Sequence, residues 1–217
     1  TTKDKNGNIV GGVAESWDIS EDGLTYIFHI REDAKWSDGQ KITADDFVYS
    51  WRRAVNPDTA AEYAYQFEPV LNAMDINAGK KPVDSLGIRA IDENTLEVKL
   101  ASPTAYFIEL AAFPTFFPLR EDIIEEYGDD WTLSPDTYIG NGPFVLTERR
   151  TDDRLVMEKN TNYWNADSII PQRLVFVLMQ NETAAMAGVK EGSIHFANNP
   201  PLSDIETLQS EGLMHIS

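Results

Sequence analysis

Residues 14–53 read AESWDISEDGLTYIFHIREDAKWSDGQKITADDFVYSWRR, and the fold is decided there. Asp22-Gly23 is a turn signal. Leu24, Tyr26, Phe28 and Ile30 then alternate with Thr25, Ile27 and His29. That period of two marks a strand with one face on a core. Ser37-Asp38-Gly39-Gln40 forms a second turn. Thr43 precedes Asp46 by three residues, the spacing of a capping box, so a helix starts there. Phe47, Trp51 and Val55 follow at i, i+4 and i+8, one apolar stripe of that helix.

Working outward, Asn56-Pro57-Asp58 stops the helix, and an aromatic stretch follows with Tyr63, Tyr65 and Phe67. Residues 69–78 suit a short helix closed by Gly79. Residues 88–91 and 95–100 flank Asp92-Glu93-Asn94 as a hairpin, with Leu96, Val98 and Leu100 on one face. Ser102-Pro103 opens a helix expected over 104–112, and Pro114 and Pro118 break the chain after it. Residues 121–127 form a short helix ending at Gly128. Residues 143–148 and 154–159 read as paired strands. The rhythm then changes. Residues 174–179 are a continuous apolar strand, 182–190 a helix, 193–196 a strand, 203–210 a helix, and 213–217 the start of another strand. This β-α-β-α-β order predicts a parallel sheet with crossover helices.

Composition excludes several classes of function. Lys and Arg number 18 against 36 Asp and Glu, a formal charge of −18. Nucleic-acid binding rests on cationic contact with phosphate, so this balance opposes it. It equally disfavours unaided adhesion to anionic lipid. Solubility through self-repulsion is the simplest reading of the charge. No run of about 18 apolar residues is present, so no transmembrane helix is expected. There is no cysteine, which removes disulfides, thiolate nucleophiles and Cys-based zinc sites.

Catalytic patterns are missing too. His29, His195 and His215 share no metal-ligand spacing. No G-x-S-x-G occurs. Gly188–Ser193 lacks the ending of a phosphate-binding loop. Gly140-Asn141-Gly142 lacks the third glycine of a dinucleotide loop and runs into Pro143. That loop reads as a tight turn exploiting positive φ, with backbone contact to a ligand as the functional alternative. The acid pairs Asp45-Asp46, Glu125-Glu126, Asp129-Asp130 and Asp152-Asp153 read as solvated faces, because adjacent helical residues do not face one another. Trp17, Trp36, Trp51, Trp131 and Trp164 read as core or turn anchors. No enzyme, metal or cofactor is expected, and a glycosidase built on paired carboxylates is a distant third reading.

The signature run from Ser16 to Arg53 resembles the extracytoplasmic oligopeptide-binding proteins of ABC importers, solute-binding protein family 5. NPDTAAEYAYQF (56–67), INAGKKPVDSLGIRAIDENTLEVKL (76–100), IGNGPF (139–144) and NTNYWN (160–165) continue that likeness in order. The resemblance implies a mixed α/β, type II periplasmic-binding-protein-like lobe, incomplete, with an inserted small α+β subdomain. Residues 1–120 would form that subdomain, and residues 121–217 part of the main lobe, truncated before the second lobe. It implies an oligopeptide ligand held between two hinged lobes, ABC importer permease subunits as partners, and an extracytoplasmic location, periplasmic or at the cell surface. A lipid anchor would lie outside this chain. The tyrosine matching Tyr63 lines the peptide cleft in the family. The position matching Phe113, a histidine in better-known members, lies near the same cleft. Asn141 and Gly142 complete the expected ligand-binding set. The family's aspartate for the peptide α-ammonium lies in the second lobe, so residues 1–217 alone are expected to bind no peptide measurably. A surface receptor or adhesin retaining the fold, such as a pheromone-binding protein, is the alternative.

Overall fold

The computed structural model describes residues 1–198 and 200–212. A small hairpin comes first, β1 (Thr2–Lys3) against β2 (Ile9–Val10). The expected strand is β4 (Thr25–Ile30), paired antiparallel with β3 (Ala14–Ile19) across a turn in which Gly23 takes φ +68°. Tyr26, Phe28 and Ile30 are buried on one face, as the alternation requires. Helix α1 (Ala44–Val55) starts where expected. The Thr43 amide donates to the Asp46 carboxylate at 2.7 Å, the reciprocal arm of the capping box. Helix α2 (Ala73–Asn77) is shorter than the expected span and is followed by Gly79 at φ +70°. Strands β5 (Ile88–Asp92) and β6 (Thr95–Lys99) form the expected hairpin. β6 adds to β4, giving an antiparallel sheet of order β3-β4-β6-β5.

The main core lies between this sheet, α1 and the aromatic segments that follow. Trp51 meets Phe67 and Phe116 edge-on, with ring centroids 5.4 and 5.1 Å away, and its indole N–H donates to the Phe116 carbonyl at 2.9 Å. Phe107 reaches Tyr26 at 5.0 Å. Buried indole thus retains its polar bond while its ring packs.

Three expectations need correction here. The helix expected over 104–112 is a single turn, α3 (Phe107–Leu110). The Thr104 hydroxyl bonds back to the Ser102 carbonyl, an alternative to helix pairing. Pro114 meanwhile holds Phe113 extended at φ −80°, ψ 141°. Helix α4 (Glu121–Tyr127) and strands β7 (Phe144–Arg150) and β8 (Arg154–Lys159) follow as expected. The apolar run is β9 (Arg173–Val177), but it pairs antiparallel with β8, so no parallel pair exists among the described residues. Periodicity recognised the strand and carried no information on its direction. Residues 193–196 form no strand. A strand persists only where its N–H and C=O groups find a neighbour, and none is alongside among the described residues. Helices α5 (Glu182–Glu191) and α6 (Ile205–Ser210) complete the description. The strand expected at 213–217, and His215 with it, lie outside the described residues.

The two sheets are tied through one turn. The Ser37 amide donates to the Gly140 carbonyl at 2.8 Å, and the Asn162 side chain donates to the Ser37 carbonyl at 3.0 Å. Nearby, buried Arg120 donates to both carboxylate oxygens of Asp122 and, at 2.6 Å, to Asp38.

Candidate functional site

Two surfaces of the first sheet's region gather the expected site residues. The first is aromatic. Tyr63 caps a 3-10 turn over Ala64–Phe67, and Phe113 precedes another at Pro114–Phe116. Fifty residues apart in sequence, their rings stand 5.5 Å apart, with Tyr65 a further 6.0 Å from Tyr63. All three are exposed, Tyr65 at 58%. Phe67, in the same short turn, is fully buried and anchors it. Beside Phe113 lies a hollow bordered by Gln66, Tyr106 and Glu109. Such a surface offers flat faces and phenol hydroxyls at little entropic cost.

The second is the 139–143 loop. Positive φ was expected there, yet neither Gly140, Asn141 nor Gly142 adopts it. Hydrogen bonds hold the loop in ordinary backbone geometry instead. Ser37 takes the Gly140 carbonyl, and buried Asn160 donates its side-chain N–H to the Gly142 carbonyl at 2.8 Å. A Cβ at Gly140 or Gly142 would meet nothing within 4 Å. These glycines therefore leave space beside the backbone rather than relieve strain. Asn141 and Gly142 border a cavity of about 230 Å³ that runs inward beside Trp51, Phe28 and Leu96. The expected site residues thus fall into two groups, Tyr63 with Phe113 and Asn141 with Gly142. Neither Tyr63 nor Phe113 borders that cavity.

Two carboxyls with raised pKa lie away from both surfaces. Burial pushes the Asp46 carboxyl up, against the pull of its Thr43 hydrogen bonds. Burial, then Glu125 and the other nearby carboxylates, raises Glu121. Neither borders the cavity or the aromatic surface. Burial likewise raises the Tyr163 phenol. His29 pairs with Asp18 at 2.8 Å on the exposed side of β3 and β4. Among the described residues no three His, Asp or Glu side chains gather to hold a metal, and no helix is long and apolar enough to cross a membrane. Of the tryptophans, Trp36 and Trp51 are core, while Trp17, Trp131 and Trp164 are only partly buried. Arg31 stacks on Trp164 at 4.1 Å.

Sequence reasoning overlooked the buried Asn160 and Arg120 and the cavity itself. The first had a signal, since an Asn side chain commonly accepts from the backbone amide two positions on, and the Asn160 side-chain carbonyl does accept from the Asn162 amide. The other two arise from distant segments and have no local pattern.

The model of the family described as bacterial extracellular solute-binding proteins, family 5 Middle, matches residues 8–216. The periplasmic oligopeptide-binding protein OppA of Escherichia coli is 38% identical over 211 residues, 96% of this chain and 38% of that protein. The structure of Listeria monocytogenes OppA bound to peptide superposes with a TM-score of 0.84 at 42% identity, covering 89% of this chain and 38% of the other. Haemophilus influenzae OppA in complex with RPPGFSPFR gives a TM-score of 0.91 at 34% identity, covering 98% and 42%. The chain spans about 38% of the length of the curated relatives it matches. The mixed α/β expectation agrees with these structures.

Proposed function

The chain belongs to family 5 of the bacterial extracellular solute-binding proteins, and from that premise we propose that it supplies one wall of an oligopeptide-capturing cleft. The whole protein would collect peptides outside the cytoplasmic membrane and pass them to the permease subunits of an ABC importer. A lipid anchor outside residues 1–217 would keep it at the membrane. In this reading residues 1–120 form a small α+β subdomain and residues 121–217 part of the main lobe. Its work is binding, without covalent chemistry.

The observation that carries the reading is the exposed pairing of Tyr63 with Phe113. An extended peptide offers the same N–H and C=O groups at every residue, so backbone hydrogen bonds give affinity without sequence preference. Exposed aromatic faces add contact area and tolerate varied side chains. The 139–143 loop, free of Cβ atoms at Gly140 and Gly142, lets another backbone approach closely. Relatives whose names specify oligopeptide binding, and a structure holding RPPGFSPFR, support the choice of ligand.

Mass spectrometry of ligand released by denaturing the full-length protein tests it. A ladder of mixed short peptides is expected. A single defined species would keep the fold and replace broad peptide import with a dedicated receptor or carrier. Tyr63→Ala in that protein should weaken peptide binding about tenfold, the loss of one aromatic contact worth about 1.4 kcal/mol. Unchanged affinity would remove Tyr63 from the cleft. Residues 1–217 alone should show no calorimetric peptide binding at micromolar concentration.

A further inference from the structure

The chain contains four pairs in which glycine follows Asn or Asp: Asn6-Gly7, Asp22-Gly23, Asp38-Gly39 and Asn141-Gly142. Glycine carries no Cβ to shield its amide nitrogen from the preceding side chain. That nitrogen can attack the side-chain carbonyl carbon only when its N–H is free and its peptide plane can turn. In three of the pairs it is held: Gly7 donates to the Asp4 carbonyl at 3.0 Å, Gly23 to the Ser20 carbonyl at 2.9 Å and Gly39 to the Trp36 carbonyl at 2.9 Å. Asp38 is fixed further by Arg120, at 2.6 Å.

Asn141-Gly142 differs. The Gly142 amide, the Asn141 carbonyl and the Asn141 side chain form no hydrogen bond among the described residues. Ser37 holds the Gly140 carbonyl before this peptide, and Asn160 holds the Gly142 carbonyl after it. The peptide between these anchors is the one left able to turn. A Cβ at Gly142 would meet nothing within 4 Å, so no neighbour crowds its nitrogen. Asn141 is only partly buried, so water reaches it. An Asn side chain readily approaches the backbone that follows it.

We propose that Asn141 is a site of spontaneous deamidation, selected by the fold over the equivalent Asn6-Gly7 pair. The Gly142 nitrogen bonds to the Asn141 Cγ and gives up its proton, and the side-chain nitrogen leaves with it as ammonia. The resulting cyclic imide then takes up water. Opening at Cγ yields aspartate. Opening at the main-chain carbonyl yields isoaspartate, in which the backbone runs through the former side chain. Either product places a carboxylate in the 139–143 loop. On the reading above that loop faces the peptide, so the change would age the capture site; the chemical step itself does not rest on that reading.

Mass spectrometry of the full-length protein tests this. The protein is incubated in mildly alkaline heavy-oxygen water and then digested in ordinary water, so that the label marks conversion before digestion. Asn141 should convert severalfold faster than Asn6, with isoaspartate exceeding aspartate. In urea the two should convert at similar rates, because both are then Asn-Gly in an unfolded chain. Gly142→Ala should slow conversion at Asn141 severalfold, and Asn141→Gln, whose longer side chain closes the ring poorly, should stop it should the first variant not fold. Conversion of Asn6 as fast as Asn141 in the folded protein would overturn the proposal. So would an Asn141 that stays intact for as long as its unfolded counterpart takes to convert, an unchanged rate in Gly142→Ala, or labelled aspartate without isoaspartate, which would mean direct hydrolysis.

Discussion

In β4, Tyr26, Phe28 and Ile30 are at most 5% exposed, whereas in β9 Val175, Phe176 and Val177 are each about half exposed. Both strands are rich in apolar residues, yet only one is satisfied by its surroundings. β4 alternates, so one covered face suffices, and α1 with the aromatic segments covers it. After Arg173, β9 is apolar at every position, a pattern that asks for cover on both faces. Among the described residues β9 is also the edge of its sheet. The difference separates a region that closes its own core from one whose apolar surface is left open among the described residues.

Trp51→Ala should have the largest effect. It opens the densest part of the core and strands the Phe116 carbonyl, at a cost of about 4 kcal/mol. Urea denaturation followed by circular dichroism would measure this. A loss under 1 kcal/mol would mean that the first region is not held by that cluster.

Arg120→Ala comes next, at about 2 kcal/mol, because it removes charge-assisted hydrogen bonds to Asp38 and Asp122, carboxylates that water can still reach. This prediction includes a pH signature. The Arg120 hydrogen bonds hold the Asp122 carboxyl below its usual value. A carboxyl lowered on folding adds stability that is fully present above its unfolded pKa, and that stability is lost as pH falls through the lower, folded value. Wild-type stability should therefore decline below about pH 4, and the variant should decline less steeply over that range. Parallel acid profiles would detach Asp122 from Arg120.

Asp46→Ala should cost about 1 kcal/mol by removing the reciprocal cap of α1, read from the same urea midpoints. No change would show that α1 is held by packing alone. The smallest effect should come from Phe176→Ala, within about 0.5 kcal/mol, since an exposed side chain has little packing to lose. A loss of 2 kcal/mol there would break the comparison, because β9 would then be covered in solution.

The same contrast explains what was legible beforehand. The strand at 25–30 and the start of α1 at Thr43 could be read because each follows from neighbours a few residues away. The Asp92–Asn94 hairpin was legible for the same reason. The direction of β9 was not, since a continuous apolar run fits either kind of sheet. The helix expected at 104–112 yielded to Thr104 and Pro114. The glycine loop was read as a positive-φ turn, which it is not: distant Ser37 and Asn160 shape it. The aromatic surface was half legible. Tyr63 stood out, but its nearness to Phe113 depends on two turns folding over Trp51. The cavity depends on four separate elements and had no signature at all.

The Ser37 turn also bears on how the chain is made. Its partners lie 103 and 125 residues further along. At a synthesis rate of roughly 5–20 residues per second, the Ser37 amide and carbonyl wait about 5–25 s for Gly140 and Asn162 to emerge. The β3–β4 hairpin and α1 need no such delay. Each nascent molecule therefore passes through an interval in which the Ser37–Gln40 turn has been synthesised but its mates have not. A pause in translation before the Gly140 codon would lengthen that interval, and a trigger for misassembly would then be found in timing rather than in any contact of the finished protein.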